Sequence, residues 1–399
     1  MRKIHIQACL MILLSAMPLL ARPQLPQEDP GNEPFMKMVL ENNPTLKAAR
    51  EAYQVALLRA GTGNTPPNPE VEFGYLFGNP SELGKRIDFS VSQEVDFPTT
   101  YIHRSRVRKI RNNQAELEYI LTRQEVLLLA RQLMIERIYL NSQQVLLEER
   151  LSQARSMQKA FQQKLEAGEE GQLALNQSTL HLLTLESEYE QGQAKILNNQ
   201  LSILELSGGS DLEILETDLP RTTHIIRDSI VNAYLQSPDL LLYQQKVEEK
   251  REEKSVMVGE NLPKLSAGYY SETVLDVKFK GFHIGVSVPL WENSNTIKNA
   301  KSNVVFAEAD VQRFTFKLEK EVLQMLNQLD NLEQRIQNLE TALESANTME
   351  LLALSLDNGE ISLTEYFYAS DFHFRNQLLL LENKRDRLML EASLLKIYL

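Results

Sequence analysis

Two stretches of this chain run for more than sixty residues without a glycine or a proline, one between Pro98 and Gly168 and one between Pro289 and Gly359. Helices of about 65 residues would be about 100 Å long. That is well beyond an ordinary globular helix and points to a coiled coil or a helical barrel. The second stretch carries a sustained 4-3 apolar spacing: Leu318, Val322, Met325, Leu329, Leu332, Ile336, Leu339, Leu343 and Ala346. Such a stripe packs knobs into holes against another helix. Each stretch stops at a glycine-bearing turn, Ala167-Gly168-Glu169-Glu170-Gly171 and Asp357-Asn358-Gly359-Glu360-Ile361-Ser362. Glycine and asparagine suit those places because they tolerate the left-handed conformation that ends a helix.

The long segments belong to a repeat. Asn43-Pro44-Thr45-Leu46 is answered by Ser237-Pro238-Asp239-Leu240, 194 residues later. In the same order Pro69 maps to Pro263, Gly74 to Gly268, Tyr75 to Tyr269, and, with one residue of slippage, Phe89, Val91 and Ser92 map to Ile284, Val286 and Ser287. Gly168-Glu169 is matched by Gly359-Glu360. The expected organisation is a first repeat over 22–220 and a second over 221–399, each reading helix, two strands, long helix, turn, helix. The shorter helices, 36–60 with 173–207 and 226–256 with 363–397, sum to nearly the lengths of the long ones at 101–166 and 295–357. Stacked end to end, they would run antiparallel to their long partner, giving helical hairpins over 101–207 and 295–397.

Four strands are expected at about 69–79, 85–97, 264–276 and 280–290. Val71, Phe73, Tyr75 and Phe77 alternate with Glu70, Glu72 and Gly74, and the other three segments alternate in the same way. Segments of about ten residues with this period match transmembrane barrel strands. On that reading Phe73, Tyr75, Phe89, Val91, Tyr269, Ile284 and Val286 face lipid. A soluble sheet packed on helices is the other structure that uses this alternation. Four strands cannot close a barrel, and open edges are not tolerated in lipid. Several subunits must then contribute: three would give twelve strands, and eight strands from two remain open.

Composition narrows the function. Met1-Arg2-Lys3 followed by a mostly apolar run to Leu20 and a cleavable Ala21-Arg22 junction reads as a signal peptide over 1–21. Cys9, the only cysteine, lies inside that segment with most of the apolar core after it, which argues against lipidation and leaves the exported chain without thiol ligands. The formal charge of −12 becomes −14 once Arg2 and Lys3 are removed. No later apolar run approaches the ~20 residues of a membrane helix, and an acidic chain has no electrostatic reason to bind nucleic acid. The six histidines show no metal-ligand spacing, and neither a phosphate loop nor a nucleophile elbow is present. No catalytic residues, metal or cofactor are expected, and the chain does not read as an enzyme.

The ordered set of Asn43-Pro44, Pro67-Asn68-Pro69-Glu70 leading into the first strand, and Val288-Pro289-Leu290 ending the fourth resembles the TolC-type outer-membrane efflux protein family, with the cation-efflux branch most similar. The resemblance runs over essentially the whole exported chain. It implies a mostly α fold with a transmembrane β part: a duplicated helix–β-hairpin–long helix–helix unit, four strands per subunit, and a trimeric 12-stranded β-barrel above an α-helical barrel. It also implies a passive exit duct for metal cations or drugs in the cell outer membrane. Its partners would be two further copies of itself, outer-membrane lipid, a periplasmic adaptor (membrane fusion) protein and an inner-membrane efflux pump of the RND type. A periplasmic coiled-coil adaptor or scaffold is the alternative reading of the long hairpins.

The resemblance puts acidic residues just past the hairpin turns, at the periplasmic entrance. Glu365 matches the first such position, while Tyr368 and Ala174 stand where further acids are often found, so one acidic ring is expected, framed by Gly168, Glu169, Gly359 and Glu360. The alternative is that Glu365 is an ordinary acid near a helix N-terminus. A second group, Arg104, Arg106, Arg108, Lys109 and Arg111, crowds a helix start, where the macrodipole disfavours cations. It reads either as a membrane-interface basic cluster beside anionic headgroups or as partners for acids on a neighbouring helix.

Overall fold

A computed structural model of the protein describes residues 33–80, 84–223, 225–291, 293–344 and 348–399. The expected signal peptide lies outside the described residues. The first half contains α1 (Glu33–Asn42), α2 (Pro44–Ala60), β1 (Glu70–Phe77), β2 (Lys85–Val95), α3 (Pro98–Glu166) and α4 (Gln172–Leu206). The second contains α5 (Arg227–Tyr234), α6 (Pro238–Glu260), β3 (Lys264–Val274), β4 (Val277–Ser287), α7 (Thr296–Glu344), α8 (Thr348–Asp357) and α9 (Leu363–Leu394), with a 3-10 turn at Lys396–Tyr398.

The helix expected over 36–60 is two helices. Pro44 lacks the N–H a continuing helix needs, and Asn43 leaves the helical region at ψ 124 and caps α2 through Leu46 N–H. Ser237 before Pro238 does the same between α5 and α6. α3 keeps 69 residues in one piece, about 100 Å. The second long stretch is described as α7 and α8, with 345–347 outside the described residues.

Short helices stack end to end because single buried polar groups serve two helix ends at once. Asn43 accepts from Leu46 N–H at 2.9 Å and donates from Nδ2 to Leu206 O at 2.7 Å, so the start of α2 and the end of α4 share one side chain. Around it Phe35, Val39, Leu46, Ala130, Met134 and Ile203 form an apolar cluster. In the second half the Tyr234 hydroxyl donates to Ser393 O at 2.9 Å, above a cluster of Leu318, Val322, Leu326, Leu329 and Leu394. Leu326, absent from the expected 4-3 stripe, is among its most buried residues.

All four strands form one antiparallel sheet in the order β1-β2-β3-β4. β2 pairs with β3, which joins the two halves: Val91 stands opposite Tyr269 and Val95 opposite Leu265. β4 begins earlier than the alternation suggests. Leu275 and Asp276 take φ values of 50 and 63, so a two-residue turn connects β3 and β4 with matched twist. Near the sheet the helices lie in the order α2-α3-α6-α7, and farther away α4 and α9 take the places of α2 and α6. β1 with α2 and α4 therefore forms one long edge of the protein, and β4 with α7 forms the other.

Candidate functional site

Residues directly opposite in antiparallel neighbours share a face. Three rows run across the sheet: Val71–Val91–Tyr269–Phe282, Phe73–Phe89–Ser271–Lys280 and Tyr75–Ile87–Thr273–Lys278. With Ile284 and Val286 in the same alternation, all seven residues assigned to lipid from the sequence lie on one face. A soluble sheet would cover that face. Here Phe282 is 88% and Ile284 85% exposed, and the substantial contacts of the strands are with one another. Burying such a side chain is worth about 1.5–3 kcal/mol, so an uncovered row of them calls for an apolar surrounding.

The other face is polar over most of its length, with Leu76, Val274, Val277 and Phe279 on it only near the hairpin tips. Arg86 Nε lies 3.0 Å from both Asp88 and Glu272. Ser90 donates to Glu72 at 3.3 Å, and Lys264 reaches Glu94 at 3.1 Å.

The basic start of α3 finds its partners on α6 and in the β2–α3 link. Arg104 bridges Asp96 at 2.8 Å and Glu260 at 2.7 Å. Arg111 forks between Glu249 at 2.6 Å and Glu253 at 2.7 Å. Arg106 stands 3.5 Å from Glu252, which also holds His103 Nδ1 at 2.6 Å. Burial pushes the Glu249 carboxyl up, but hydrogen bonds from Arg111 and Gln114 more than offset it and hold the group below the usual carboxylate range. Arg108 and Lys109 are exposed, with no ion pair among the described residues. Three of the five cations thus join the two halves.

Both hairpin turns are built alike. Glu169 N–H bonds Lys164 O at 2.9 Å and Gly168 N–H bonds Leu165 O at 3.0 Å; Glu360 and Gly359 repeat this with Ser355 O and Leu356 O. This is the Schellman pattern, and it needs a left-handed residue, supplied by Gly168 at φ 76 and Gly359 at φ 72. Glu169 and Glu360 are exposed on these turns. Glu365 forms a capping box with Ser362. Its carboxylate accepts from Ser362 N–H at 2.7 Å and Oγ at 2.8 Å. Those two bonds hold its pKa below the ordinary carboxylate value.

Sequence reasoning missed a brace between the hairpins. Arg150 on α3, 5% exposed, meets Asp371 of α9 at 3.2 Å and Glu188 of α4 at 3.6 Å. Its guanidinium lies 4.7 Å from the Phe374 ring. His181 stacks on Phe367 at 4.4 Å, and burial lowers its pKa. No spacing in the chain foretells a site assembled from three helices. Among the described residues no helix is long and apolar enough to cross a membrane, and no cluster of His, Cys, Asp or Glu could hold a metal ion.

No sequence-family model matches the chain, and no curated relative is found by sequence. Solved structures do match, over nearly the full length, and several of them are outer-membrane channels. The Vibrio cholerae outer membrane protein VceC aligns at TM-score 0.78 and 13% identity, covering 93% of this chain and 96% of that one. CusC, studied for its transmembrane channel formation, aligns at TM-score 0.73 and 16% identity, covering 93% and 92%. The Campylobacter jejuni CmeC outer membrane channel aligns at TM-score 0.69 and 18% identity, covering 92% and 85%. The chain has the fold of these proteins.

Proposed function

We propose that this protein is an outer-membrane channel subunit of a tripartite efflux system, a passive duct for substrates delivered by an inner-membrane pump through a periplasmic adaptor. The observation that carries the proposal is the uncovered apolar face of the β-sheet, with Phe282 and Ile284 almost wholly exposed. β2, β3 and β4, at 11 residues each, have the length a barrel wall requires, and β1 is shorter at 8. The opposite face, lined by Glu72, Asp88, Ser90 and Glu272, suits a water-filled lumen.

Copies of the chain close the barrel. Inside one chain the halves join through β2 with β3 and α3 with α6. A neighbour placed by the same rotation sets its β1 against β4 and its α2 against α7. The two edges carry exposed apolar side chains suited to this, Val55 and Leu58 on α2 and Val305 and Phe306 on α7. Three copies of a four-stranded sheet make twelve strands, enough for an aqueous lumen, and the long helices continue the wall into the periplasm. The hairpin turns, with Gly168, Glu169, Gly359, Glu360 and Glu365, then form the far mouth where an adaptor would dock.

A periplasmic adaptor also uses long hairpins, but its sheet would not leave its apolar face bare. Fractionation of the expressed envelope, followed by native mass measurement in detergent and planar-bilayer conductance, tests the proposal. A conducting trimer from the outer membrane is expected; a soluble monomer would sink it.

A further inference from the structure

The apolar face of the sheet carries cations along one border only. On β2 the outward side chains run Val95, Gln93, Val91, Phe89 and Ile87 toward the hairpin tip, and the next is Lys85. On β4 they run Val286, Ile284 and Phe282, and the next two are Lys280 and Lys278. All three lysines follow directly on the last apolar residue, at the end of the sheet away from the helices.

No acid shares this face on the described strands. Glu70, Glu72, Asp88, Glu94 and Glu272 all fall in the other alternation. The strand cations of the polar face, Arg86 and Lys264, are ion-paired. Lys85, Lys278 and Lys280 are exposed and have no ion pair among the described residues, Lys85 lying only over the Tyr75 ring at 6.0 Å. At the helical end of the same face stand Val95, Leu265 and Val286.

We propose that Lys85, Lys278 and Lys280 form a binding rim for lipid phosphate in the leaflet away from the helices. The inference rests on reading the sheet as membrane-spanning. Lysine stems lie along the apolar belt while their ammonium groups rise to the headgroup level, where a phosphomonoester supplies up to two negative charges per site. A face without acids suits such a ligand, because a carboxylate would repel it; among the described residues at this end, Asp276 stands in the β3–β4 turn and not on the strands of that face. Lysines close to an anionic lipid surface each contribute attraction that adds across the rim.

The test uses the purified full-length oligomer, with native mass spectrometry reading retained phosphatidic acid against phosphatidylcholine from mixed micelles. The triple variant Lys85→Gln, Lys278→Gln, Lys280→Gln is expected to lose the preference for phosphatidic acid by about fivefold for each lysine. The matching Lys→Arg triple variant should keep it, as should Lys159→Gln on α3, and inorganic phosphate should not displace the lipid. An unchanged preference in the Gln variant, with both proteins inserting into phosphatidylcholine vesicles, overturns the rim while the membrane reading stands. Displacement by inorganic phosphate overturns the assignment to lipid. Failure of the wild-type protein to insert into any vesicle overturns the membrane reading and the rim with it.

Discussion

The seam inside this chain and the edges on its outside are made of different chemistry. At the seam, α6 presents Glu249, Glu252 and Glu253 to the basic start of α3. At the sequence offset of 194 that relates Asn43 to Ser237, the corresponding positions on α2 are Val55, Leu58 and Arg59. Val55 and Leu58 are exposed, as are Val305 and Phe306 on α7. The seam therefore forms within one chain, where ion pairs select the partner helix and tolerate water. An edge that meets its partner only after folding gains more from apolar area, whose burial drives association without needing a geometry fixed in advance. Related surfaces can thus carry the same architecture with the polarity reversed.

The edges offer the largest effect. Leu58→Asp with Phe306→Asp is expected to abolish the oligomer while leaving a folded, helical subunit, read by sedimentation in detergent and circular dichroism. Retention of the trimer would show that the copies do not meet along α2 and α7.

A lysine on the edge strand sharpens the contrast between the two faces. Ile284→Lys is expected to cost about 2–4 kcal/mol of assembled barrel if it sits near the midplane, whereas Ser90→Lys on the polar face should be far better tolerated. Heat-modifiable mobility of the assembled form measures both. Equal losses would mean that the face assignment is wrong.

The seam responds more modestly. Arg111→Ala leaves the partly buried Glu249 with Gln114 as its remaining partner, and the loss is expected near the low end of the about 1–3 kcal/mol that a stranded buried group costs, to be read from denaturant midpoints. The same pair gives the seam a pH dependence. Because the folded pKa of Glu249 is depressed, its contribution is fully present above the unfolded value of about 4.3 and is lost as pH falls through the lower folded value. Hydrogen-exchange protection in the α3–α6 region, taken relative to the intrinsic rate at each pH, is expected to fall below about pH 4, ahead of protection along the Val55–Leu58 edge, which has no titrating pair. Simultaneous loosening would break the distinction.

The smallest expected effect is at the far mouth. Glu365→Gln keeps a capping box, since glutamine serves at that position, so oligomer stability should hardly move. If Glu365 also faces a narrow entrance, removing its charge weakens cation selectivity and multivalent-cation block at low salt, where screening is weakest. Glu319→Gln on the exposed face of α7 is the control. Unchanged selectivity would leave Glu365 as a helix cap alone.

Local physics wrote much of this protein into its sequence. Long runs free of glycine and proline gave the long helices, because nothing in them interrupts the backbone ladder. Period-two alternation gave the strands and their two faces, whereas the breaks at Asn43-Pro44 and Ser237-Pro238 interrupt what was expected as single helices over 36–60 and 226–256. The capping box of Ser362 and Glu365 has a local signature too, a serine followed three residues later by glutamate, although Glu365 was expected only as an entrance acid or an ordinary acid near a helix N-terminus. Other features belong to no local stretch. Only the folded chain pairs β2 with β3, turns Arg104 and Arg111 toward acids 138 to 156 residues away, buries Arg150 against Asp371, and leaves the apolar face of the sheet uncovered. Periodicity records which side of an element is apolar, because each residue's direction follows from the backbone repeat. What that side meets depends on elements brought together across the whole chain, and only tertiary packing decides it.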